Sequence, residues 1–234
     1  GYRNSYASET SGRNASTEST ISLTPGAVYT VTVGDGGAIA TNGVNGSNGT
    51  NSSIVGTGVS VISLGGGFGM GGNTSAGNSA GDGGCGGGAA DGVNYTSATG
   101  GSGTAGQGFD GGSVPSNDNG AAGGGGAGGA AANYSGTNMA GGIGLASSIT
   151  GSSVTRAVGG GGSMASTSSK TANTGGGGDG STNNNVDPTA GASGVVIMRI
   201  PTANYSGTTT GSPTVSTSGS DKLLIFNSSG SVTG

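Results

Sequence analysis

The groups able to do chemistry are few. The two glutamates, Glu9 and Glu18, sit near the N-terminus, the single cysteine is Cys85, and histidine is absent. Acid–base and nucleophilic catalysis need a base held within reach of a proton or a nucleophile, and imidazole, the commonest such base, is missing. One thiol closes no intrachain disulfide, and without imidazole it builds no mixed thiolate–imidazole metal site. Inside GDGGCGGG (81–88), Cys85 reads as a small residue filling a glycine-like slot. Asp82, Asp91 and Asp179 read as turn or loop residues. AGQGFD, ending at Asp110, approaches the calcium-binding glycine–aspartate nonapeptide but does not repeat, and that architecture needs a tandem array. GxGxxG occurs, but at this glycine content chance matches are expected, and it carries no information without a strand before it and a helix after it. The expectation is a chain with no catalytic residues, no cofactor and no metal.

The elements that would position any site must then be built from unusual material. Of 234 residues, 60 are glycine, whereas hydrophobic residues are 29% and aromatic residues 4%, too little for an ordinary apolar core of that size. Charged residues are 7% with a net charge of −4, and no basic patch exists to attract nucleic acid. No run of about 18 apolar residues is present, so no membrane-spanning helix is expected. Opening mid-pattern at Gly1, without an initiator Met, is expected of a processed product or of part of something longer. N-x-S/T sequons occur at Asn14, Asn45, Asn48, Asn51, Asn73, Asn94, Asn133, Asn204 and Asn227, many of them by composition alone.

Glycine is concentrated between 65 and 194, in runs such as GGGFGMGG (65–72), GDGGCGGGAADG (81–92), GGSGTAGQGFDGG (100–112), GAAGGGGAGGAA (120–131) and GGGGDG (175–180). Glycine loses more backbone freedom on folding than any other residue, so ordinary helix or sheet is a poor use of such runs. Two arrangements remain: a flexible linker, or polyproline-II strands packed so closely that only glycine fits between them. A polyproline-II strand has no internal hydrogen bonds, so its N–H and C=O groups must pair with neighbouring strands. Low charge and flanking strand sequences favour the ordered bundle.

Alternating or continuous apolar runs mark strands on both sides of this block. Residues 1–20 read as an irregular lead-in tacked down by Tyr2 and Tyr6. Thr20–Thr24 and Val28–Val33, joined by Pro25-Gly26, are expected to form a hairpin. Residues 38–53 read as an Asn-Gly loop, and Ile54–Val55 and Val59–Leu64 as short strands. Val195–Ile200 (VVIMRI) reads as a strand buried on both faces, followed by Thr214–Ser216, Leu223–Phe226 and a last strand at Ser231–Thr233. No helix is supported. The fold class expected is all-β without helices: a small split β-sandwich from 1–64 and 195–234, carrying 65–194 as an inserted bundle of glycine-rich polyproline-II strands.

The order ISLTPGAVYTVTVGDGG (21–37), an Asn/Gly loop, SVISLGGGFG (60–69), polyglycine islands, GASGVVIMRIP (191–201) and SGSDKLLIFNSSGSVTG (218–234) resembles the glycine-rich domain of tailed-phage tail and tail-fibre proteins. It is similar to the polyglycine-sandwich tip adhesins, in which loops between glycine motifs contact the host surface. The resemblance implies the same bundle, a virion or extracellular location, and partners among other virion proteins, copies of itself, and a host glycan or outer-membrane protein. One departure is that the runs differ in length, from five to about thirteen residues, or roughly 15 to 40 Å of strand.

If successive runs are antiparallel, their connections alternate between two ends. One end gathers 73–80, 113–119, 147–157 and 181–189; the other gathers 93–99, 132–139 and 164–173, with Tyr95, Tyr134, Met139 and Lys170 as receptor-contact candidates. Aromatic rings with polar tips suit a glycan- or protein-contacting surface; the plainer alternative is that they cover the bundle's end. The function expected is a rigid, non-enzymatic virion module for host attachment. Its rival is an extracellular filament or surface-layer protein that self-associates through strand edges, with an open-ended C-terminal strand available for donation.

Overall fold

A computed structural model describes residues 1–39, 44–71, 79–90, 97–115, 120–136, 139–162, 170–179 and 189–234. The strands are β1 (Val28–Thr32), β2 (Ser52–Gly56), β3 (Val59–Ser63), β4 (Leu145–Ser147), β5 (Val154–Arg156), β6 (Val196–Pro201), β7 (Thr209–Thr210), β8 (Thr214–Ser218), β9 (Asp221–Phe226) and β10 (Gly230–Thr233). The helical pieces among the described residues are two 3-10 turns, Gly12–Asn14 and Thr202–Asn204. The all-β class holds.

Two antiparallel sheets make the sandwich, one ordered β3-β2-β1-β10-β7 and the other β6-β9-β8. Strands from both ends of the sequence meet in the first, where Val28 pairs with Thr233 and Thr30 with Ser231. Side chains alternate across a pleated strand, and β1 follows that rule, with Tyr29 and Val31 wholly buried and Val28 and Thr30 exposed. Tyr29, Val31, Ile54, Val59 and Val232 of this sheet pack against Met198, Leu224 and Phe226 of the other. Each large side chain so buried contributes roughly 1.5–3 kcal/mol. Gly56 is fixed by this core: a Cβ there would lie 2.4 Å from the Tyr29 ring.

Three expectations change here. Residues 20–24 form no strand, because both edges of β1 are occupied by β2 and β10. That segment is held instead by the Tyr29 hydroxyl, which accepts the Thr24 N–H at 2.7 Å. β6 is not buried on both faces: it is the edge of its sheet, and Met198 alone in it is buried. The C-terminal strand is not open-ended, since β10 lies between β1 and β7.

The glycine region follows a different repeat. Its backbone donors and acceptors step by three residues along each segment. Gly46 and Gly49 donate to the carbonyls of Gly69 and Gly66; Gly67 and Met70 donate to Cys85 and Gly88. Ala122 and Gly125 donate to Ala89 and Gly86, and Gly191 and Gly194 donate to Gly37 and Gly34. A β-ladder steps by two. The same pairs show that 34–39 and 44–51 belong to this lattice, which therefore begins before β2. Packing is tight enough to exclude side chains: a Cβ on Gly67 would lie 1.8 Å from the Gly81 carbonyl oxygen, and one on Gly86 1.8 Å from that of Gly101.

Run lengths differ for a simple reason: the long runs fold back on themselves. Gly87 donates to the Gly81 carbonyl across a bend at Gly84-Cys85, Gly108 to Thr104 across a turn, and Gly126 to Gly129 across a bend at Ala127-Gly128. Each half is then short enough to match its neighbours.

Candidate functional site

These reversals settle where the ends of the described segments lie. Gly81 and Gly84 donate to Phe68 and Gly65, so 79–84 is antiparallel to 65–71; Met70 to Gly88 makes 85–90 parallel to it. Carried through Ala98–Val114, Gly112–Gly123, Tyr134–Ser113, Gly162–Met139 and Thr189–Asp179, the bonds put residues 39, 44, 71, 79, 90, 97, 115, 120, 136, 139, 162, 179 and 189 at one end of the bundle. The expected alternation of segment ends is corrected, because three runs each contain their own return; the connections expected at 73–80, 93–99, 113–119, 132–139, 164–173 and 181–189 lie mostly outside the described residues. At the opposite end lie the internal turns and the sandwich.

Residues 1–18 close that opposite end. Tyr2 donates its N–H to the Gln107 carbonyl and Arg13 to that of Ala127, in two of the internal turns. Arg13 forms a two-pronged ion pair with Asp110 and lies over the Phe109 ring. Asp110, which approached a calcium motif in the sequence, is thus held by Arg13 and the Gly103 N–H, and Arg13 foremost lowers its pKa. Arg3 pairs with Glu18. Burial would raise the pKa of Glu9, but hydrogen bonds from Ser147, Ser148 and Asn4 outweigh it and bring the carboxyl down to about 2. Tyr2 is buried, and the Tyr6 hydroxyl accepts from Arg199 at 2.9 Å.

Of the four receptor-contact candidates, Tyr95 lies outside the described residues. Tyr134 sits at the end of the bundle where these segment ends gather, half-buried, its ring across Gly120, where a Cβ would lie 2.2 Å from the ring's Cζ. It borders a small cluster of Met70, Ala89, Ala98, Val114 and Ala122. Met139 reaches the same end but is 6% exposed. Lys170 runs beside 175–179 and places its ammonium 2.8 Å from Asp179 Oδ1. Asp179 is buried, its Oδ1 also accepting the Gly161 N–H at 2.6 Å. Its Oδ2 has no partner among the described residues. The structure therefore brings Tyr134 and Met139 to one end, and holds Lys170 in an ion pair. Cys85 is buried, its pKa raised first by that burial.

One group of residues was missed in the sequence. Asn45, Asn48 and Asn51 accept the N–H groups of Gly71, Phe68 and Gly65 through their side-chain oxygens at 2.9, 2.7 and 2.9 Å. On another face of the same segment, Ser47 and Thr50 hydroxyls accept from Ala38 and Asp35. The signal was the N-x-x-N-x-x-N spacing, which repeats at the lattice's three-residue step.

The segments also close on themselves. Hydrogen bonds link 34–39 to 44–51, then in turn to 65–71, 85–90, 120–127, 154–162, 174–179 and 189–195, and the last back to 34–39. Inside lies a cavity of about 930 Å³, walled mostly by glycine and alanine with Asp179 at one end and Gly1, Leu64 and Cys85 at the other.

No curated protein and no solved structure matches this chain. A family model described as "Glycine-rich domain" matches residues 4–201, which takes in β1 to β6 and every segment of the bundle. On that match the chain belongs to the glycine-rich domain family.

Proposed function

We propose that this chain is a non-enzymatic virion component, a tail-fibre or surface module that holds attachment loops on a rigid glycine scaffold outside the cell. The observation that carries the reading is the gathering of the connection flanks at one end of the bundle, with the sandwich and residues 1–18 at the other. A surface module needs such polarity: one end joined to the particle, one end presented. The segments between those flanks are written in polar and small residues, such as SNDN (116–119) and GSTNNNVDP (180–188), with Tyr95 in DGVNYT (91–96). Such residues suit contact with glycans or proteins.

The scaffold itself we read as polyproline-II strands. Three residues per turn is the repeat of that conformation, and the hydrogen bonds and the Asn45, Asn48 and Asn51 side chains all step by three. The resemblance to phage tail proteins points the same way. Partners under this reading are other virion proteins at the sandwich end and a host glycan or outer-membrane protein at the loop end.

Antibody labelling of tailed particles that carry the protein tests the proposal. Label at the distal tail in a few copies is expected. Label repeated along a filament or shell would overturn it in favour of self-association through strand edges.

A further inference from the structure

The walls of the central cavity contain glycines that the resident structure does not require. Elsewhere in the lattice a glycine is forced by a neighbour: a Cβ on Gly111 would lie 1.9 Å from the Gly87 oxygen, and one on Gly101 1.9 Å from that of Gly81. Three positions lining the cavity differ. Among the described residues, a Cβ on Gly69 would meet nothing within 4 Å, one on Gly66 would come no closer than 3.9 Å to the Cys85 oxygen, and one on Gly124 no closer than 3.4 Å to the Gly86 oxygen. Nor does conformation demand them, since none of the three has a positive φ. Glycine in an extended segment costs backbone entropy. A position that neither packing nor φ explains points to a neighbour that is not among the described residues.

We propose that the cavity receives one further glycine-rich extended strand, donated by another polypeptide. The volume of about 930 Å³ runs the length of the surrounding segments, from Gly1 and Cys85 to Thr189 and Ile39. Seven residues of polyproline II span roughly 20 Å, the length of the 65–71 segment that forms one wall. The wall is chiefly backbone, which recognises another backbone, in the way that strand addition works through main-chain hydrogen bonds. It offers few of the apolar and aromatic side chains that line small-molecule pockets. A second feature supports the same occupant. Asp179 lines the cavity with a side chain 1% exposed, and its Oδ2 lacks a hydrogen-bond donor among the described residues. A peptide N–H arriving in the lumen supplies one. This inference rests on the closed ring of segments and is independent of the attachment reading.

The test uses the intact chain and a fluorescent peptide of about seven glycine and serine residues, the length that fills one segment. A peptide of equal length with valine at every third position is the control. Saturable binding of the first and at least tenfold weaker binding of the second are expected. The double substitution Gly66→Ala with Gly124→Ala is expected to leave the melting temperature of the free chain unlowered and to weaken peptide binding at least tenfold. Hydrogen exchange on the unaltered chain is the second measurement, and peptide should slow the amides of Gly66 and Gly69 while leaving those of β9 unchanged. No binding, equal binding of both peptides, equal binding by the double variant, or slowing confined to the sandwich would each overturn the proposal.

Discussion

The sandwich and the glycine bundle solve the same problem by opposite means. In the sandwich, side chains leave the backbone every second residue and eight of them, Tyr29 to Val232, make one apolar core. In the bundle, side chains are removed so that backbones touch, and cohesion comes from N–H···O bonds that step by three. A net hydrogen bond contributes only about 0.5–1.5 kcal/mol, so the bundle depends on many small equal terms where the sandwich depends on a few large ones. Damage should therefore be graded by volume in one region and by added volume in the other.

The largest effect is expected at the sandwich. Phe226→Ala removes a wholly buried ring and should cost about 3–5 kcal/mol, read as a lowered midpoint in urea; a loss below about 1 kcal/mol would break the comparison. Adding volume in the bundle comes next. Gly86→Ala sets a methyl 1.8 Å from the Gly101 oxygen and should cost about 1–3 kcal/mol, as overpacking does. Gly69→Ala, with nothing among the described residues within 4 Å, should stay within about 0.5 kcal/mol of the parent. Equal effects of these two substitutions would mean that the bundle is not close-packed. Asn48→Ala removes the side-chain acceptor of the Phe68 N–H and should cost about 1 kcal/mol, visible as a small drop in melting temperature.

The smallest expected effect concerns the segment that joins the regions. The pKa of Glu9 is lowered from 4.5 to about 2 in the folded chain. Its contribution is complete above the unfolded value and is lost as pH falls from about 4.5 towards 2. Glu18, whose burial is outweighed by Arg3 and Ser11, and Asp110 shift in the same direction. Melting temperature should fall across that window, and Glu9→Gln should lower it at pH 6 and flatten the acid slope. An unchanged slope would remove Glu9 from the account.

Where side chains carry the fold, the sequence could be read. β1, β2, β3, β6, β8, β9 and β10 each follow an apolar or alternating run, and the joining of strands from both ends in one sandwich followed from the interrupted core. The hairpin at 20–33 failed because apolar alternation marks a strand without naming its partner, and β10 arrives from the other end of the chain. The bundle's internal returns were illegible: Gly84-Cys85 and Ala127-Gly128 bend with no proline or asparagine to mark them in runs where every residue is small. Asn45, Asn48 and Asn51 could have been found from their spacing, had the period tested been three rather than two. At the candidate site, Tyr134 was reachable as an end residue, but the ion pair of Lys170 with Asp179 joins two segments whose contact no local pattern announces.

The central claim is that bare backbones bond to one another across the bundle, and amide hydrogen exchange tests it most directly. A row of bonds crosses four segments, Gly87 to Gly81, Gly101 to Gly87 and Gly111 to Gly101, each at 2.9 Å. These three amides should exchange orders of magnitude more slowly than an unstructured chain, in the range of the β1 amide of Val31. Exchange of all three at the unstructured rate, beside a protected sandwich, would contradict the account.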